Sequence, residues 1–393
     1  MIRLLPIHYA VRNLDRSHLR LLLSVSASGL VVLLALGAGG FVRGMNASLM
    51  QSADEGNVMV LGTGSEESLE RSEIPAATAA LLSASVGGLR SQQGVAFVSP
   101  EVQVQLPIMT DEKSVAERLS LIRGFTPAAL LVHSQVQIVE GGLPRPGHDE
   151  ILVGRLAHGR LGVKADRLRV GNSVQIEGRS WKIVGRMAAP RSLIDAEVWM
   201  PLTDLKQLTK RETDSCVIVS LGGGPRAAEL ADVQSFCQRR LDLEITAMTE
   251  SAYYSRMSAF FAPIRLVTWI TATLIALGGL FGGLNSMYAA FSARVRELGM
   301  LQCLGFRRSA IVVSLIQESC LATAAGAVLA SFLALAVLDG VAVQFSLGAF
   351  GLQIDPPVLF LGLSIGALLG VVGSLPPAIR SLCMPIPESL KSN

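Results

Sequence analysis

The chain has 393 residues, of which 50% are hydrophobic and 17% charged, with a formal net charge of +3. Soluble domains usually carry about 25% charged residues, so the composition excludes an ordinary soluble enzyme and points to a membrane protein. With no long Lys/Arg run and no interleaving of aromatic and basic residues, a nucleic-acid partner is excluded as well.

At the N-terminus, LLPIHYAVRNLDRSHLRLLL places Ile7, Val11 and Leu14 at helical spacing, with Arg12, Asp15, Arg16 and His18 elsewhere around the wheel. The pattern fits either an amphipathic helix on the inner membrane face or a solvated basic flank. The charge-free run Leu21 to Val42 follows. It is longer than the roughly 7 to 15 residues of a signal-peptide core and matches the roughly 20 that a bilayer requires. We read it as a span.

Residues 44–262 have the grammar of a folded domain. NVMVL around Val58 to Leu61 reads as a strand, and IPAATAALLSA, with Pro75 near its start, as a helix. GVAFVSPEVQVQLPI alternates as strands do, and two strands flank a turn at Gly178. DSCVIVSL is a further strand, and PRAAELADVQSFCQRRLD a helix with Leu230, Val233, Phe236 and Cys237 along one face. The domain is therefore mixed α+β, read as two lobes joined near Thr110 to Phe125. Cys216 and Cys237 lie in it and are either a candidate disulfide or two small buried hydrophobes.

Three more apolar runs complete the chain: Leu266 to Ala293, Ala310 to Leu338 interrupted only by Glu318, and Pro356 to Ile379. Arginines cluster before the first span and between the second and third, and Arg380 and Lys391 follow the fourth, whereas residues 339–355 contain no Lys or Arg. By the positive-inside rule both termini lie inside and residues 44–262 outside. The fold class is an α-helical membrane protein of four spans with an α+β outer domain between the first two, divided as 1–43, 44–262 and 263–393. Small residues recur at four-residue spacing: Gly278 with Gly282, Gly279 with Gly283, Ala322 with Gly326 and Ala330, and Gly362 with Gly366 and Gly370. Such stripes allow close helix packing, within one chain or between two. Glu318 is read as a polar clamp between helices, because an ionised carboxylate at that depth needs a partner.

No HExxH, GxSxG or GxxxxGK[ST] motif and no metal-spaced Cys/His cluster occurs, so the chain is expected to bind no cofactor and to hydrolyse no ATP by itself. One charged segment stands out, RVRELGMLQCLGFRR at 294–308. Val295, Leu298, Leu301 and Leu304 recur every third residue, Arg294 and Glu297 form an i,i+3 pair, and Gly305 suits a helix stop. This predicts a short amphipathic helix on the inner face.

RELGMLQCLGFRRSAIVVSLIQES resembles the signature of MacB/FtsX-like permeases, the type VII fold of ABC transporters. RNLDRSHLRLLLS, GVAFVSPEVQVQ and EILVGRLAHGRLGVKADRLRVGNSVQIEGRSWKIVGRM resemble other parts of the same family. Cys303 stands where the family often has a small residue. The resemblance implies a permease subunit that converts ATP hydrolysis in a separate nucleotide-binding subunit into movement of its outer domain. ATP and Mg would then be bound by that partner. It implies coupling through Arg294, Arg296, Glu297, Leu298, Leu301 and Gly305, pairing with a second permease copy or paralogue, contact with membrane lipids, and a place in the bacterial inner membrane. A periplasmic adaptor is a further candidate partner. The cargo would be a lipoprotein, lipid, peptide or drug; a regulator of a cell-wall hydrolase and a receptor sensing through the outer domain are the alternatives.

Overall fold

The computed structural model describes residues 18–110, 118–222, 227–345 and 348–382. The N-terminal segment before His18 and Cys383 lie outside them. The chain divides into two compact units: one takes in 1–43, 263–340 and 352–393, the other 44–262 and 341–351. Helix α1 (His18–Met50) is unbroken, so the boundary between units falls within it.

The outer unit is built on a ten-stranded sheet. Its elements in chain order are β1 (Asn57–Gly62), α2 (Thr78–Ser85), β2 (Val98–Met109), β3 (Arg118–Phe125), α3 (Ala129–Val132), β4 (Gln137–Gly141), β5 (Glu150–Gly154), α4 (Ala157–Leu161), β6 (Ser173–Ile176), β7 (Arg179–Ala188), β8 (Val198–Pro201), α5 (Leu202–Thr209), β9 (Cys216–Ser220), α6 (Leu230–Arg239), β10 (Ile245–Thr249) and α7 (Glu250–Phe260). The strand order is β10-β1-β9-β2-β3-β8-β5-β7-β4, with β6 pairing β2 and β7. Between β6 and β7, Glu177 and Gly178 both have positive φ, 50° and 74°. Such a turn matches the twist of the strands it joins.

Two cores meet along the long strand β2. Its residues 98–101 pair with β9 and residues 102–108 with β3. On one side Val58, Val60, Val217 and Val219 pack with Leu82, Val233 and Phe236; on the other Val102, Ile122, Ile151 and Trp181 form a separate cluster. The division therefore runs through one continuous strand; the expected junction at 110–125 takes in residues 111–117, which lie outside the described ones.

Cys216 and Cys237 are free thiols. Cys237 packs with Val217 and Val219, and alternation along β9 sends Cys216 to the opposite sheet face. The disulfide alternative is thereby overturned. Burial pushes both thiols up, Cys237 to about 11.

The segment between the last two spans is more than a loop. β11 (Ala342–Phe345) and β12 (Gly348–Gly351) form an antiparallel hairpin within the outer unit. Phe345 packs edge-on against Phe261 and Phe350, each at 5.4 Å between ring centroids. The Arg160 guanidinium donates to the Phe345 carbonyl, and the Gln344 amide to that of Gly159.

In the other unit, α1, α8 (Ala262–Ser292), α10 (Arg308–Leu333, continued by a π turn Ala334–Leu338) and α11 (Pro356–Leu382) are long and apolar enough to cross a membrane. A short helix, α9 (Val295–Cys303), joins α8 to α10. Two of the small-residue stripes bind the bundle from within. A Cβ on Gly326 would lie 2.6 Å from the Val25 carbonyl, one on Gly366 2.6 Å from Ala327 Cβ, and one on Gly370 2.9 Å from Cys320 Cα. Gly278, Gly282 and Gly283 face open space instead. Gly326→Ala should therefore destabilise the bundle by about 1–3 kcal/mol, the usual cost of overpacking. Gly282→Ala should be neutral or slightly stabilising; unfolding of both variants in detergent checks this, and equal losses would contradict the packing described.

Candidate functional site

α9 begins as α8 ends at Ser292 and stops at Gly305, whose φ of +89° is a left-handed conformation natural to glycine. Its position is fixed by a buried charge. Arg294 Nη1 donates to both oxygens of Glu318, at 3.2 and 3.1 Å, and Nε donates to Glu297 at 3.3 Å. Glu318 is only 3% exposed and Arg294 14%. Burial works against the Arg294 charge, but the Glu318 carboxylate outweighs it and raises the guanidinium pKa above its ordinary value. Glu318 thus ties α10 to the residue that precedes α9, and its partner is the first residue of the expected coupling set.

Val295 and Leu298 are buried, and Leu298 packs with Met287, Phe291, Ile311, Leu315, Ala378 and Leu382. Leu301 is half-buried against the same cluster, while Met300 is 48% and Leu304 69% exposed. The predicted stripe does not lie on one face, because nine residues at about 100° each put Leu304 about 180° around the helix from Val295. The residues of the expected coupling set divide between the two sides of the helix. Arg294 and Leu298 hold α9 to the bundle and Leu301 flanks that contact. Arg296 and Gly305 are exposed and Glu297 is half-exposed; Met300, Cys303, Leu304, Arg307 and Arg308 join them on the open side.

A second polar cluster lies inside the outer unit, and motif reading missed it. Arg123 on β3 donates through Nε and Nη2 to the two oxygens of Glu197, both at 2.7 Å, and through Nη1 to Glu101 on β2. Ser99 and His133 hydrogen-bond Glu101 at 3.0 and 2.9 Å, and Trp199 Nε1 donates to Glu197 at 2.7 Å. All four charged or titratable members, Arg123, Glu101, Glu197 and His133, are buried. Burial works against the Glu101 charge, yet His133 and Arg123 hold its carboxyl down at about 2. The available signal was an arginine within the apolar strand LSLIRGF and a glutamate before the buried VWM. Among the described residues no group of three or more His, Cys, Asp or Glu could hold a metal ion.

The cluster has a stability consequence. Arg123→Ala strips two buried carboxylates of their cation, which usually costs about 3–5 kcal/mol. Denaturant unfolding of the outer unit, followed through Trp181 and Trp199, should show a loss of that size; a loss under 1 kcal/mol would contradict the ion-paired arrangement.

Comparison with known proteins adds the family. The MacB-like periplasmic core domain matches residues 21–233, and the FtsX-like permease C-terminal domain matches residues 269–386. The macrolide export ATP-binding/permease protein MacB of Bordetella avium (strain 197N) is 25% identical over 333 residues, covering 79% of this chain and 48% of that protein. The chain therefore spans about half the length of the curated relative it matches. Among solved structures, the periplasmic region of MacB from Actinobacillus actinomycetemcomitans aligns with a TM-score of 0.41 at 10% identity, over 53% of this chain and 95% of that one. The extracellular domain of the noncanonic ABC-type transporter YknZ from Gram-positive bacteria aligns at 0.36 and 11%, over 49% and 100%. The assignment rests on the sequence matches, the first of which spans more than half of the chain: it belongs to the MacB/FtsX-like, type VII permeases of ABC transporters, inner-membrane proteins with an external domain.

Proposed function

We propose that this chain is the transmembrane subunit of an exporter that works by mechanotransmission, with α9 as the helix that grips a separate ATPase subunit. The carrying observation is that Arg294, Glu318 and the buried side of α9 hold the helix rigidly, while Arg296, Met300, Leu304, Arg307 and Arg308 face outward. An exposed apolar pair ringed by cations suits a partner surface with an apolar pocket and acidic rim. Closure of the ATPase would move α9 and, through α1, whose helix continues to Met50, the outer unit. With the basic segments inside, both termini and α9 face the cytoplasm. The cargo is a lipoprotein, lipid, peptide or drug taken from the outer leaflet or periplasm, carried by two permease copies or paralogues with or without an adaptor. The Bordetella avium relative is itself a macrolide export protein, which favours export over control of a hydrolase or reception of a signal.

The two sides of α9 separate docking from folding. Leu304→Asp should leave the membrane level of the chain unchanged yet abolish copurification of the ATPase, a loss of roughly 2–4 kcal/mol on the scale of an interface hot spot. Leu298→Asp should deplete the folded chain itself. Intact copurification with Leu304→Asp would sink the assignment. The purified chain should show no ATP turnover until that subunit is added, since its sequence has no phosphate loop; turnover by the chain alone would contradict the division of labour.

A further inference from the structure

The Arg123 cluster continues into a second set of buried groups that holds the ends of two helices. Glu250, the first residue of α7, is fully buried, and its Oε2 accepts from the Asp54 backbone N–H and from Asn57 Nδ2, both at 3.0 Å. Asn57 Nδ2 also donates to the Val132 carbonyl at 3.1 Å, beside His133. Just beyond α1, the Ser52 hydroxyl donates to the Ser48 carbonyl and accepts from the Leu193 N–H, and Gln135 Nε2 donates to the Ser52 carbonyl. The exit of α1 and the entry of α7 are thus fixed by the same buried set.

Three atoms in it are buried without a partner: Glu250 Oε1, Asn57 Oδ1 and His133 Nδ1. Two of them are the atoms that a carboxylic acid and an amide join when the acid is protonated: the amide N–H already donates to Oε2, and a proton on Oε1 would give Asn57 Oδ1 the donor it lacks. Charge points the same way. Arg123 and a protonated His133 balance Glu101 and Glu197, so a neutral Glu250 leaves the cluster without net charge, whereas each proton removed adds an uncompensated negative charge to a dry site. The remaining groups facing Glu250 and His133 bring no further cation: Asp54 at the rim, which accepts from Ser134, and the neutral Cys216, Tyr253 and Tyr254.

We propose that this cluster is a proton-binding joint: the outer unit holds the exit of α1 and the entry of α7 while Glu250 and His133 keep their protons, and loosens that hold as the protons are lost. Burial pushes Glu250 up, with His133 opposing. At His133 burial opposes the charge, and Glu101 outweighs it to give an upward shift. Both folded values lie above the ordinary 4.5 and 6.5, so the stabilisation is complete below those values and is lost as pH rises through the raised ones. Glu101 runs the other way; its contribution is present above 4.5 and lost only as pH falls toward about 2.

Hydrogen exchange on the full chain in lipid nanodiscs, between about pH 5 and pH 8, tests the joint in peptides covering 48–58 and 250–260, after correction for the intrinsic rate. Linkage to one proton makes the opening constant rise about tenfold per pH unit, and to two more steeply. Glu250→Gln, which keeps the shape and the amide donor, should flatten its share of the slope, and Glu250→Gln with His133→Asn should abolish the rise. A pH-independent opening constant in the unaltered chain would overturn the proposal, whether or not the variants fold; so would a double variant that folds and keeps the full slope. The outcome does not depend on whether α9 binds an ATPase.

Discussion

A carboxylate buried among apolar helices needs a cation, and Glu318 finds it in Arg294. The position of α9 depends on this contact. Glu318 stands about ten residues into α10, about 15 Å along the axis from Arg308. To reach it, the junction of α8 and α9 must lie beside the first half of α10, and that placement drives Val295 and Leu298 inward against Phe291, Ile311 and Leu315. The outward side of α9 is what remains. Nothing in the local sequence of α9 chooses its docking face; an acid on the next helix does.

The outer unit repeats the principle on a larger scale. Arg123 pairs with Glu101 and Glu197 at the strand shared by the two cores, and hydrogen bonds from the neighbouring set fix the ends of α1 and α7. Ion pairs so deeply buried add little net stability compared with apolar packing, because desolvation offsets their attraction. They are directional, however. A guanidinium on β3 bonded to Glu101 on β2 and to Glu197 just before β8 defines one arrangement of those strands.

Much of this architecture could be read from sequence because it rests on local patterns. Apolar runs marked the four long helices, alternation marked β1, β2 and β9, and period-3.6 spacing marked α6 with Val233, Phe236 and Cys237 buried. The misreadings share a cause, which is that pairing across space leaves a faint local trace. Arg294 and Glu318 are separated by the whole of α9. A spacing of three resembles an amphipathic stripe but drifts about 60° per step, so Leu304 left the face that Val295 began. Cys216 and Cys237 were close in sequence, yet strand alternation set them on opposite sides of the sheet. The hairpin Ala342–Gly351 looked like a loop because four-residue strands of Ala, Val, Gly and Phe carry little periodic signal.

On the proposed mechanism, a stroke delivered to α9 reaches the outer unit. Spin labels on cysteines placed at Ser83, an exposed position on α2, would report the distance between the outer units of two paired copies. The ATPase-bound complex, trapped with ATP and then released, should give two distinct distance distributions, and Glu318→Gln, which weakens the anchor of α9, should collapse them toward one. A single unchanged distribution in the unaltered complex, under conditions where ATP is demonstrably bound, would contradict the account.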